Sequence, residues 1–138
     1  MIYQPDTIVT YAKDLEWQPV GPLDENGKGI FVSLMYGDLE TTGPTAFLMK
    51  YSAGVTAPPH IHGHDYYAVV VSGSFRHYLQ DPDEYQVLTP GSTWFQKGNA
   101  VHGDTCVGDD DCILSIFWPH GFDVTFIENR RRDGRSRP

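Results

Sequence analysis

Short apolar segments separated by turn residues constrain the fold of this 138-residue chain more than any other feature. The segments are rich in Val, Ile, Phe and Tyr and are bounded by Gly, Pro or Asp, whereas no long stretch carries a helical period. Such spacing predicts a single all-β domain, a sandwich or a barrel. The predicted strands are Ile8–Tyr11, Gly29–Tyr36, Thr45–Tyr51, His64–Ser72, Ser74–Leu79, Tyr85–Leu88, Ser92–Gln96, Val101–Cys106, Cys112–Trp118 and Asp123–Ile127.

The charge is distributed unevenly along the chain. The net charge is −8, yet five of the ten basic residues are arginines within 130–138. An acidic body repels phosphate backbones, so we expect no nucleic-acid binding. We expect N-terminal strands or an arm at 1–28, a barrel at 29–127, and a basic, flexible tail at 128–138.

Other features bear on location and on the thiols. The chain has no apolar run of 18 residues, so we expect no membrane span. The N-terminus lacks the basic and apolar regions of a secretory signal, which favours a cytoplasmic protein.

Cys106 and Cys112 flank a predicted turn and could be close enough to form a disulfide. In a protein without an export signal we expect free thiols.

Three histidines at alternate positions form the strongest candidate site. His60, His62 and His64 would face the same side of a strand. Pro58 and Pro59 stiffen the chain just before them, and a metal site needs rigidly held ligands. His102 follows a hairpin that can bring it beside this strand. The pattern therefore predicts a metal site, whereas His77 and His120 have no such pattern and are expected to be hydrogen-bonded structural residues.

The spacing of these residues resembles that of the cupin family. The first cupin motif is matched at every spacing by Gly54-x5-His60-x-His62-x3-Tyr66-x6-Gly73, with Tyr66 where the family has Glu. The second motif is matched at Gly91 and His102, with Lys97 and Asn99 in place of its Pro and Gly. The chain is also similar to ChrR-type cupins, at Gly29-Ile30, Tyr36-Gly37-Asp38, Tyr51-Ser52-Ala53-Gly54, Ser72-Gly73-Ser74-Phe75, Pro90-Gly91-Ser92 and Gly108 followed by Cys112.

The resemblance implies a double-stranded β-helix, a small jelly-roll barrel with a metal in its mouth. His60, His62 and His102 become the metal ligands. Tyr66 replaces the ligating Glu, and we expect it to donate a hydrogen bond to a metal-bound water or to a substrate oxygen, because a neutral phenol is a poor ligand. His64 is left open between a fourth ligand and a catalytic base that faces the substrate.

Three neutral imidazoles leave the charge of a divalent metal uncompensated. Such a site favours an anionic, bidentate substrate, for example a diketone, a catechol or a hydroxyketone. Imidazole suits several transition metals; we favour Fe(II), with Zn, Ni or Mn as alternatives.

The sequence thus favours a non-haem, dioxygenase-type enzyme. One alternative is a metal-bearing sensor or small-molecule binding module of the ChrR type. A sugar or keto-acid isomerase ranks last, because the central strands carry few Lys, Arg or Glu residues. The apolar outer face of the strand at 64–72 further predicts a homodimer.

Overall fold

The computed structural model describes residues 6–127 and contains two antiparallel β-sheets packed face to face. One sheet has six strands in the order β1-β2-β3-β9-β5-β7, and the other has four in the order β10-β4-β8-β6. The strands are β1 (Gln18–Pro19), β2 (Ile30–Tyr36), β3 (Thr45–Tyr51), β4 (Thr56–Ile61), β5 (Tyr66–Ser72), β6 (Ser74–Tyr78), β7 (Thr93–Gln96), β8 (His102–Val107), β9 (Cys112–Trp118) and β10 (Thr125–Phe126).

Strict alternation of side chains places the core between the two sheets. In β3, the alternate residues Thr45, Phe47, Met49 and Tyr51 are buried. Strand β9 lies antiparallel to β3 and is also buried at every second residue, ending with Trp118. A strand that is buried at every second position has one face in the core, as a two-sheet architecture requires. The prediction of an all-β, jelly-roll cupin fold is confirmed.

The structure differs from the predicted elements at several places. The segment predicted as a strand at Ile8–Tyr11 is exposed and is followed by a short 3-10 helix, Ala12–Asp14. The segment Tyr85–Leu88 forms only an isolated bridge, at Leu88. The sequence analysis expected His60 to lie on a strand but not the part of β4 before it, because Pro58 and Pro59 argue against a strand interior. A register shift between Ala57 and His60 admits both prolines into β4.

Cys106 and Cys112 form a disulfide, so the prediction of free thiols is wrong. Cys106 lies in β8 of the four-stranded sheet, and Cys112 begins β9 of the six-stranded sheet. The connecting loop turns at Gly108, which has a φ of 93°. This turn brings the two Cα atoms to 5.8 Å, within the usual range for a disulfide. The bridge therefore links the two sheets.

Within residues 6–127, no helix is long and apolar enough to cross a membrane. The predicted tail at 128–138 lies outside the described residues.

Candidate metal centre

His60, His62 and His102 converge between the two sheets. His60 in β4 lies directly opposite His102 in β8. His62 follows the end of β4 by one residue, and all three side chains are buried. One ring nitrogen from each residue lies within 4.8 Å of those of the other two. The structure thus brings together the three histidines that the sequence analysis selected as ligands.

Backbone carbonyl groups orient each of the three imidazole rings. In every case Nδ1 donates a hydrogen bond to a carbonyl oxygen, which leaves Nε2 as the atom that could ligate a metal. Metal-binding histidines are typically held in this way. The acceptors are Pro58 O at 2.7 Å for His60, Asp123 O at 2.5 Å for His62, and Ala100 O at 3.0 Å for His102.

The chemistry of these groups fits a divalent metal ion. Burial lowers the pKa of His62 to about 4, although the hydrogen bond to the carbonyl oxygen of Asp123 acts in the opposite direction. Burial lowers the pKa of His102 to about 3, although the negative charge of Asp104 opposes this shift. Both rings are therefore neutral near pH 7, as ligation requires. Moreover, His102 Nε2 is buried and has no hydrogen-bond partner within the described part of the chain. A buried ring nitrogen without a hydrogen-bond partner, close to two other imidazoles, is what a metal-binding site would provide.

A buried carboxylate lies on one side of the cluster. Asp104 stands two residues after His102 on β8, and its Oδ2 lies 3.5 Å from His60 Nε2. Its Oδ1 accepts a hydrogen bond of 2.6 Å from His77 Nδ1. Burial raises the pKa of Asp104, but the hydrogen bond and charge of His77, with smaller contributions from His60 and His102, outweigh it and lower the pKa overall. Asp104 is thus held as a carboxylate.

Gln96 completes this arrangement. His77 Nε2 lies 2.7 Å from Gln96 Oε1, and Gln96 Nε2 donates to the carbonyl oxygen of Lys97 at 3.2 Å. The two ring nitrogens of His77 therefore face oxygen atoms of Asp104 and Gln96. His77 is thus a buried, hydrogen-bonded residue, as the sequence predicted.

Tyr66 occupies the position of the cupin glutamate and lines the same space. Its hydroxyl oxygen accepts a hydrogen bond from Trp94 Nε1 at 3.1 Å, and its ring lies 5.3 Å from that of His62. Burial raises the pKa of Tyr66 well above 10, and the charge of Asp104 adds to this rise. The phenol is therefore neutral, with its own proton available for donation.

His64 does not join the cluster. The strand β4 ends at Ile61, and the chain bends at Gly63, so the alternation breaks before His64. The His64 side chain is exposed, and its ring lies 5.8 Å from that of His120. The twofold pattern that correctly grouped His60 with His62 does not extend through the bend.

The turn that contains Lys97 and Asn99 of the second cupin motif packs against the bend at Gly63. Asn99 N donates to the carbonyl oxygen of His62 at 2.7 Å, and Gly98 N donates to Asp65 Oδ1 at 2.7 Å. Asn99 has a φ of 65°, a left-handed conformation that Asn tolerates better than most residues. Asn99, at the position of the motif glycine, therefore has a backbone conformation that glycine also adopts readily.

Two acidic residues of the site were not predicted. Asp104 could have been found, since it shares the strand face of His102 two residues earlier. Asp123 acts on His62 through its main-chain carbonyl, while its Oδ1 accepts from Gly63 N at 2.8 Å. A main-chain acceptor leaves no trace in the residue type, so no signal in the sequence marks it.

A cavity of about 610 Å³ opens onto the cluster and is lined by His60, His62, Tyr66 and Asp104. The rest of its surface is almost entirely apolar, and Asp104 is the one charged side chain among the described residues that line it. Such a volume matches that of small-molecule sites. The larger apolar lining residues are Met49, Leu114, Ile116, Trp118, Phe122 and Phe126.

The fold and the histidine cluster define a cupin, and comparisons with solved structures agree. KdgF from Halomonas sp. is 26% identical, with a TM-score of 0.61 over 80% of this chain and 93% of that chain. An RmlC-like cupin from Ralstonia eutropha is 21% identical, with a TM-score of 0.65 over 89% and 74%. The polyketide cyclase RemF from Streptomyces resistomycificus is 17% identical, with a TM-score of 0.70 over 88% and 86%.

Residues 8–114 match the family described as "Domain of unknown function (DUF4437)", so the chain belongs to that family. No curated protein is similar enough to this chain to count as a match.

Proposed function

We propose that this protein is a metal-dependent, dioxygenase-type enzyme that acts on a small substrate with two chelating oxygens and an apolar body. The observation that carries the proposal is the convergence of three buried imidazoles on a large apolar cavity. When bound, a metal supplies Lewis acidity and, for Fe(II), the electrons that reaction with O₂ requires. Iron is the metal we favour, with Zn, Ni or Mn as alternatives.

The side chains of the cavity perform the remaining tasks. The apolar walls bind the substrate body and exclude water from the reacting atoms. Tyr66 keeps its proton and donates it in a hydrogen bond to a substrate oxygen beside His62. The exposed His64 has no part in this proposal.

The lining also favours a diketone, catechol or hydroxyketone over a sugar or a keto acid. Neither Lys nor Arg occurs among the cavity residues that the structure describes. Apart from the metal, a polyanionic substrate would find no cationic side chain among these residues and would face the carboxylate of Asp104, and a sugar would leave most of its hydroxyl groups without partners.

Oxygen consumption tests the proposal. The metal-free protein is loaded with Fe(II) under anaerobic conditions and mixed with each member of a panel of diketones, catechols and hydroxyketones. We expect O₂ uptake, with label from ¹⁸O₂ in the product. Tyr66→Phe should lower the turnover while metal content stays the same, and His62→Ala should abolish both. Iron-loaded protein that binds panel members without consuming O₂ would contradict the proposal and support the binding module.

We further propose a homodimer formed through the outer face of the six-stranded sheet. Phe95, Tyr67, Phe117 and Tyr36 lie in one cross-strand row on that face, and each is 45–52% exposed. Light scattering should give twice the monomer mass, and Tyr67→Lys should give the monomer. Tyr85→Lys, an equally exposed change in a loop, is the control and should remain a dimer. A monomeric wild type would contradict this proposal.

The cytoplasmic location stays a prediction. A disulfide is more typical of oxidising compartments, so trapping the thiols with an alkylating agent at cell lysis is the informative measurement. A cytoplasmic protein should show two alkylated cysteines, whereas bridged cysteines would argue against that location.

A further inference from the structure

Tyr51 contributes a polar group to the cavity wall, and the proposed function gives this group no task. It is the last residue of β3, is 4% exposed and lines the cavity beside Met49 and Leu114. No residue within 6–127 forms a hydrogen bond with its hydroxyl group, and the sealed polar side-chain atoms without a partner in that range are His102 Nε2 and Trp118 Nε1. The Tyr51 hydroxyl group is therefore not sealed within the protein and stays accessible from the cavity.

The ring of Tyr51 is held firmly, so its hydroxyl group has a defined position. The ring of Phe75 packs edge-on against it, with the two ring centroids 5.0 Å apart and the planes at 84°. The backbone of Tyr51 pairs with Ile30 on one side and with Cys112 on the other. A phenol that is ordered in this way can discriminate between ligands, because little side-chain entropy is lost when it forms a hydrogen bond.

Tyr51 lies away from the three histidines, towards the disulfide. On β8, Cys106 follows His102 by four residues, which is about 13 Å further along the strand. The disulfide joins Cys106 to Cys112, and Cys112 is the residue that pairs with Tyr51. A ligand that is bound by a metal at the histidines would therefore reach Tyr51 with its far end, after crossing the apolar wall of the cavity.

The surroundings of this hydroxyl group favour an uncharged partner. Burial and the negative charge of Asp104 raise the pKa of Tyr51 well above 10, so the phenol is neutral and keeps its proton. The charge that acts on the phenol would also repel an anionic group bound to it. A hydroxyl group on the ligand needs no counter-charge and can accept the hydrogen bond, whereas an apolar end would leave the phenol without a partner.

We propose that Tyr51 is a specificity-determining residue that donates a hydrogen bond to an uncharged hydroxyl group at the far end of the substrate. The substrate is then a chelator with two polar ends, namely two oxygens at the metal and one hydroxyl group beyond an apolar body. This inference rests on the chelating substrate of the proposed function and does not depend on the reaction.

Matched catechols test the inference in Zn(II)-loaded protein, where no oxidation accompanies binding. Each pair consists of an alkylcatechol and the same molecule with a hydroxyl group at the end of its alkyl chain, and the chain length increases from pair to pair. Calorimetry gives the Kd values. For wild type we expect the hydroxylated member to bind about 3- to 10-fold more tightly at the best chain length. Tyr51→Phe should abolish this preference and leave the affinity for the alkylcatechol nearly unchanged.

Tyr78→Phe is the matched control, because Tyr78 is buried but does not line the cavity, and this variant should keep the preference. A preference that wild type shows at no chain length, or that survives in Tyr51→Phe, would overturn the inference and leave the proposed reaction standing. Tighter binding of a carboxylate at the same chain end would also overturn it. A preference that depends on Tyr51, without O₂ uptake by the iron-loaded protein, would support the inference and contradict only the reaction. Zinc-loaded protein that binds neither kind of catechol would contradict the chelating substrate and overturn the inference with it.

Discussion

The two sheets contribute different chemistry to the same cavity. The four-stranded sheet carries three imidazoles and the carboxylate, namely His60 on β4, His102 and Asp104 on β8, and His77 on β6. The facing six-stranded sheet contributes an apolar wall that includes Leu114 and Ile116. The alternation of buried and exposed residues is clean on β3 and β9 of the six-stranded sheet and irregular on β4 and β8 of the four-stranded sheet. The residue types at the buried positions make one sheet the main source of candidate ligands and the other an apolar wall.

The largest expected effect lies on the four-stranded sheet. His102→Ala removes one of three imidazole ligands, and we expect Zn(II) binding to weaken by about 100-fold or more. Chelator competition and metal analysis of the purified protein both measure the loss. His120→Ala removes an exposed histidine outside the cluster and should bind zinc as wild type does. Equal affinity of His102→Ala and wild type would contradict the division between the sheets.

A pH titration of the metal-free protein examines the same residues in another way. The pKa of His62 is about 4 and that of His102 about 3, below the ordinary value of 6.5. The unfolded chain therefore takes up protons below pH 6.5 that the folded chain does not, and the free energy of unfolding falls as the pH falls through this window. Between pH 7 and pH 5 we expect a loss of about 2 kcal/mol from each histidine.

Urea unfolding of the metal-free protein at several pH values measures this dependence. The His120→Asn variant alters an exposed imidazole and should reproduce the wild-type curve. A free energy of unfolding that stays level from pH 7 to pH 5 would contradict the buried, neutral state of the two histidines.

The same contrast explains which strands could be predicted from the sequence. Thr45–Tyr51 and Cys112–Trp118 have the predicted bounds, because both are central strands of the six-stranded sheet with clean alternation. The first part of strand β4 was missed, since its two prolines disfavour the pairing that the register shift permits. Patterns of residue type describe regular strands well, but they do not describe an irregularity that tertiary packing tolerates.

The candidate site shows a similar limit. The spacing of His60, His62 and His102 was sufficient to group them, because their placement follows from strand alternation and a hairpin. The exposed position of His64 depends on a bend at Gly63, and the support of His62 depends on a main-chain carbonyl. Neither depends on residue type at a fixed spacing, so the sequence could not specify either.

On the six-stranded sheet we expect an effect on stability without an effect on the metal. Leu114→Ala leaves a void at a residue that is 2% exposed and should lower the free energy of unfolding by about 3 kcal/mol. Zinc affinity should remain within about twofold of wild type, because Leu114 offers no ligand atom and lies on the sheet that faces His60 and His102. Ile113→Ala, the next residue on the outer face, is the control and should cost clearly less. A large loss of zinc affinity in Leu114→Ala would show that the wall and the metal centre are coupled.

The smallest expected effect is at the turn that joins the two sheets beside the centre. Asn99 has a φ of 65° and donates its N–H to the carbonyl oxygen of His62. Alanine tolerates the left-handed conformation less well than asparagine, because its side chain cannot form local hydrogen bonds. We therefore expect Asn99→Ala to lower the free energy of unfolding by about 1 kcal/mol. Asn99→Gly adopts the same conformation without strain and should be nearly neutral, since both variants retain the N–H. If the two variants are equally destabilised in urea unfolding, the backbone conformation is not what this position requires, and the Asn99 side chain itself must hold the turn.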